Sequence, residues 1–220
     1  MGVSLVGMMT ACGGASERAP GARADAGALD SARRDSVARA RQDSVNRTLP
    51  GYVIDSILPV EEQLRRFRAV LGGERATTLL PAIRSRDSLV SRFVDRLAAG
   101  DSAALRAMAV TAREFADLVY PDSPNTKPPY SQDPALVWRT IQNPSESGFI
   151  RLVRRAGGIH VRLVGYRCEA APTRQGRNTL WGGCLLDLKG PKGDTSTHRF
   201  FGTILERDGH FKFLSFRNEF

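Results

Sequence analysis

From Val60 to Ala156 the apolar positions of this chain recur every three or four residues, and from Ile159 onward they come in short dense runs broken by Gly, Pro and Asp. The first pattern has the period of helices lying on a core, the second that of strands. Val60, Leu64, Phe67 and Leu71 share one face of a helix expected over 59–71, which Pro59 suits at its first turn and Gly72-Gly73 ends. Asp87 heads a helix over 88–99 with Leu89, Val90, Phe93 and Leu97 inward, and a short helix follows over 102–109. Thr111 and Glu114 have the spacing of a capping box for a helix over 112–119. Asp133-Pro134 starts a helix over 134–142, Asn143-Pro144 breaks it, and another runs over 146–156 to Gly157-Gly158.

The last sixty residues predict four strands, over 159–168, 179–188, 197–207 and 210–218. Asp208-Gly209 between the last two is a strong hairpin signal, because a type I′ turn needs positive φ at both central residues. A two-residue loop fixes the register: Arg207 faces His210, Leu205 faces Lys212, Ile204 faces Phe213, and Phe201 faces Phe216. One face then carries Phe200, Ile204, Phe211 and Phe213, the other Phe201, Leu205, Leu214 and Phe216, so both sides should be covered. Gly202 suggests a bend. Residues 170–178 read as a loop; symmetry about Gly176 sets Cys168 opposite Cys184, where a disulfide can form. The fold class is therefore α+β: N-terminal helices packed on a curved four-stranded antiparallel C-terminal sheet, in a single domain over 51–220. The proline-rich stretch 121–133, flanked by Tyr120, Tyr130 and Trp138, reads as a crossover pinned on the core or as a lid over a pocket.

Residues 12–50 have few apolar side chains and a loose Asp-Ser-x-x-Arg repeat, and are expected to be a disordered tether. Before them, a short apolar run ends in Met9-Thr10-Ala11-Cys12. This resembles a bacterial lipoprotein signal peptide, with residues 1–11 removed and the Cys12 thiol acylated. Met9 stands where Leu is usual, and no Lys or Arg precedes the apolar run, so the natural start is expected upstream. The resemblance implies a lipid anchor and an oxidising location, the periplasmic face of the outer membrane. With Cys12 used for lipid, the two remaining cysteines are those facing each other across the expected hairpin.

A second resemblance rests on Phe93-Val94-Asp95-Arg96-Leu97-Ala98-Ala99-Gly100-Asp101-Ser102-Ala103-Ala104-Leu105. This run is similar to the entry of nuclear transport factor two-like domains, the cone-shaped folds that include SnoaL-like cyclases. It implies a cone-like sheet and a pocket, as in a small-ligand-binding protein or enzyme. The chain departs from that family in its extra helices and its proline-rich loop, and no catalytic residue carries over.

Charge adds one further element. The chain holds 32 basic and 23 acidic residues, and 28 of the basic ones are Arg. Residues 51–148 are balanced, whereas 149–220 carry 13 basic and six acidic side chains. Arg151, Arg154 and Arg155 fall on one helix face, and Arg162 and Arg167 follow on the first strand. They are a candidate docking set for an anionic envelope component such as lipid headgroups. Nucleic acid is not expected, since 13–50 has seven Arg against five acids and an exported protein does not meet it. His160, His198 and His210 have no metal-ligand spacing, and GxSxG, phosphate-loop, CxxC and HExxH motifs are missing, so neither a metal nor a cofactor is expected. Asp187 and Glu206 are the carboxylates that could serve a cone pocket as a base. The leading expectation is a non-enzymatic binding or structural module of the envelope; the alternative is a ligand carrier or enzyme with a cone-shaped pocket.

Overall fold

A computed structural model describes residues 21–46, 48, 58–129 and 131–218. The chain divides into two units, 1–57 and 58–220. In the first, Gly21–Asn46 form a helix, α1, where an irregular tether was expected. Arg34 Nε donates to the backbone carbonyl of Asp30 and Arg39 Nε to that of Asp35, both at 3.2 Å, one helical turn back along the chain. The side chains described there are all exposed.

In the second unit α2 (Val60–Leu71), α3 (Arg86–Ala98) and α4 (Ser102–Ala107) lie where the apolar spacing put them. The capping box of Thr111 and Glu114 opens α5 (Ala112–Glu114), which widens at once into an i→i+5 turn over Phe115–Val119. The two helices expected over 134–142 and 146–156 are one, α6 (Pro134–Ala156), with Pro144 inside it. Proline removes one backbone bond locally. Here the inward stripe Val137, Ile141, Ser145, Phe149 and Leu152 runs straight past it, and burial of that stripe keeps the helix whole.

The expected C-terminal antiparallel sheet is present, but in place of one sheet of four long strands there are two sheets built from seven shorter ones. The strands are β1 (Arg162–Arg167), β2 (Thr173–Gln175), β3 (Asn178–Trp181), β4 (Leu185–Lys189), β5 (Thr195–His198), β6 (Ile204–Arg207) and β7 (His210–Phe213). They form an antiparallel sheet β1-β4-β5 and another β2-β3-β6-β7. The ribbon expected over 179–188 bends at Gly182-Gly183, which parts β3 from β4; the one over 197–207 bends at Phe201-Gly202, which parts β5 from β6. Gly183 has φ +59, a backbone state side chains resist. The stretch read as a loop over 170–178 holds β2, paired with β3 around the turn at Gly176-Arg177.

The expected register of the last hairpin holds, from Ile204 opposite Phe213 to Arg207 opposite His210, with Asp208 and Gly209 at φ +51 and +72. The hairpin separates two apolar clusters. Ile204 and Phe213 face the first, where the Phe93 ring meets Phe200, Phe201, Phe213 and Phe216 at centroid distances of 5.3–6.3 Å. Leu205, Leu214 and Leu180 face the second, with Leu79, Phe115, Tyr120 and Val137. Phe201 and Phe216, expected on the Leu205 side, turn into the first cluster because the strands bend before they reach it. The outer edge of β7 is covered: Val110 N donates to Phe213 O, Phe213 N to Met108 O, and Phe211 N to Ile83 O.

Candidate anion-docking surface

The C-terminal half of α6 turns Phe149 and Leu152 into the core, and this rotation leaves Ile150, Arg151, Arg154 and Arg155 exposed. Arg151 Nε reaches Asn218 Oδ1 at 3.3 Å, while Arg154 and Arg155 have no acceptor among the described residues. After the turn at Gly157-Gly158 the chain enters β1, where Arg162, Val164 and Arg167 are exposed. Arg167 is engaged by Asp187 at 2.9 Å across the sheet, and Arg162 carries no ion pair with a described residue. Of the five arginines expected to act together, three are on one helix and two on a strand, and one of the two is neutralised.

Asp187 also accepts from Thr197 Oγ1 at 2.5 Å. This bond, with Arg167 beside it, holds its carboxyl below the usual aspartate range, so it is a poor base. Glu206 is half-buried in β6. His198 stacks on Phe200 at 5.1 Å and His210 Nδ1 lies 3.1 Å from Asp208 O, while His160 is exposed. Among the described residues no group of His, Cys, Asp and Glu is placed to hold a metal ion.

Cys168 and Cys184 are joined by a disulfide. It lies where β1 ends and β4 begins, in the register that also sets Arg167 opposite Leu185. Cys12 and the rest of Met9-Thr10-Ala11-Cys12 lie outside the described residues, as does the boundary at Pro50-Gly51. No helix among the described residues is long and apolar enough to cross a membrane.

Three polar clusters were not foreseen. Lys212, wholly buried on β7, donates to both oxygens of Glu114 at 2.8 and 3.0 Å and to Leu80 O. Glu114 accepts as well from Leu80 N and Thr111 N at 2.8 Å each. Burial pulls the Lys212 ammonium below the usual lysine range, against the carboxylate that pulls it up. Arg207 Nη1 donates to Leu118 O, Asp122 Oδ2 and Asn178 Oδ1 at 2.6–3.0 Å, which ties the 120–122 turn to the hairpin. Asp117 joins Arg68 Nε at 2.7 Å to Ala76 N at 2.9 Å. The signal for the first was present in the sequence: Lys212 falls on the face of Leu205 and Leu214, where a lone cation needs a partner.

The interior holds rings rather than a deep cone. Among the described residues of this unit, open hollows lie outside that ring cluster, of about 620 Å³ between α3 and α4, about 520 Å³ beside α2, and about 200 Å³ between α6 and the 109–112 segment, the last with the Arg106–Glu146 pair (2.6 Å) across it. No protein-family model, curated protein or solved structure matches this chain.

Proposed function

We propose that the chain is a membrane-anchored lipoprotein of the bacterial envelope, and that residues 58–220 serve as a non-enzymatic binding module held against an anionic phospholipid surface. The Met9-Thr10-Ala11-Cys12 sequence supports the anchor, at the periplasmic face of the outer membrane, and the Cys168–Cys184 disulfide agrees with an oxidising location. The observation that carries the docking reading is the outer face of α6, where Arg154 and Arg155 stand exposed with no carboxylate partner among the described residues, beside exposed Ile150. Basic side chains near an anionic leaflet contribute about 1 kcal/mol each. The Ile150 side chain adds an apolar contact of the kind that interfacial helices use. The ring-filled interior supports a surface-binding role over a carrier or enzyme with a cone-shaped pocket.

Two measurements test this reading. Labelled palmitate should enter the wild-type chain in a bacterial host and not Cys12→Ser. The Cys12→Ser chain should co-sediment with phosphatidylglycerol vesicles at low salt and release as salt rises. The triple variant Arg151→Gln/Arg154→Gln/Arg155→Gln should lose that binding; vesicle binding unchanged by it, or none at low salt, would remove the docking reading.

A further inference from the structure

A second concentration of arginine lies away from α6. A cleft of about 520 Å³ runs beside α2, walled by Gly73, with Arg65, Arg68, Arg75 and Arg113 around it and Glu61 at its rim. A space of that order holds a small organic ligand.

The four guanidiniums differ in what they already bind. Arg65 is held by Glu62 at 2.6 and 2.8 Å. Arg68 is held by Asp117 at 2.7 Å and by Ala116 O at 3.0 Å. Arg75 is exposed and has no acceptor among the described residues. Arg113 is half-buried; its Nη2 is shut off from solvent and has no hydrogen-bond partner there. Gly73 lies over that nitrogen: a Cβ built on it would be 3.9 Å away, so even a methyl there would only touch it. Glu61 forms no ion pair with a described residue. A guanidinium cannot shed its charge, and a buried donor without an acceptor is costly. The cleft therefore contains two arginines fixed by carboxylates and two whose donors are unused.

We propose that this cleft is a binding site for a phosphomonoester, a phosphate group carried on a small organic body. Arg75 takes the phosphate oxygens through its exposed planar fork, and Arg113, whose Nη2 lies under Gly73, adds its charge to the wall of the cleft. With Glu61 at this cleft also unpaired among the described residues, the two cations leave a net unpaired charge of one, and it is the several acceptor oxygens of a phosphate, more than its charge, that suit the unused donors. Arg65 and Arg68, already oriented, frame the wall, and Leu64 and Ala69 face the organic body. The site is independent of the α6 surface and shares no residue with it.

The test is calorimetric titration of the full chain with phenyl phosphate and with inorganic phosphate, and in parallel of the Arg151→Gln/Arg154→Gln/Arg155→Gln chain, which lacks the α6 surface, with phosphatidic acid vesicles. Saturable binding of phenyl phosphate at millimolar or lower concentration is expected, weakened about tenfold or more in Arg75→Gln and in Arg113→Gln. Arg154→Gln should leave it unchanged. Arg75 is exposed, so its variant tests the site even if Arg113→Gln does not fold; Arg113→Lys keeps the charge and should retain most of the binding that Arg113→Gln loses. Binding of vesicles but not of soluble phosphates, lost in Arg75→Gln, would identify a lipid headgroup as the source of the same chemistry. No binding of any of the three, or binding that Arg75→Gln leaves intact, would overturn the proposal.

Discussion

A lysine in the middle of an apolar strand must have its charge met by something brought to it. At Lys212 that something is the capping residue of another element: Glu114 closes the N-terminus of α5 and neutralises the strand at once. Removing one member of a buried pair strands the other. Lys212→Met should therefore lower stability by about 3–5 kcal/mol in urea denaturation, and adding Glu114→Gln should recover a large part of it. A second residue-scale prediction concerns Tyr166. Burial and its hydrogen bond to Asp87 Oδ1 push its hydroxyl up to about 12. The folded chain thus keeps this proton to higher pH than the unfolded chain, where a tyrosine titrates near 10. The stability this contributes is complete below the unfolded value and disappears as pH rises through about 12. Asp87→Asn should bring the Tyr166 midpoint down in an ultraviolet titration; a midpoint that stays put would mean the bond does not form. Neither pairing could be read from the chain, because each joins residues far apart in sequence.

Elements were legible where one local signal dominated. Asp208-Gly209 dictated its turn, and the turn dictated the register of β6 and β7. Signals failed where two competed. Pro144 argues for a break, but the buried stripe on either side of it carries more free energy than one lost backbone bond, and α6 runs through. Gly182-Gly183 sat inside an apolar run and was hidden by it, so the bend between β3 and β4 was not foreseen. The arginines of the cleft come from three separate stretches, and only folding brings them together. The same helix gives a test of element packing. Ser145 Oγ accepts from Phe216 N at 2.9 Å, Gly148 O accepts from Asn218 Nδ2 at 2.7 Å, and a Cβ on Gly148 would come within 2.0 Å of Phe216 O. Gly148→Ala should lower the melting temperature, at a cost of about 1–3 kcal/mol, and expose 215–218 to carboxypeptidase.

At the scale of the unit 58–220, helices pack on antiparallel sheets whose last hairpin parts two apolar clusters, and both of its polar clamps lie on the side of Leu205. Lys212–Glu114 and Arg207–Asp122 both fasten this hairpin to the segment that follows α4. The Cys168–Cys184 bond is covalent, and between its ends lie exposed Arg174 on β2 and exposed Arg177 on the β2–β3 turn. Trypsin acting on the folded protein should cut there if that turn opens, yet the cut would not divide the molecule. Unfolded without a reductant it should still run on a gel as one polypeptide, and a thiol should release two pieces. The enclosed segment behaves as a ring threaded into the chain, able to lose its continuity while the molecule stays whole.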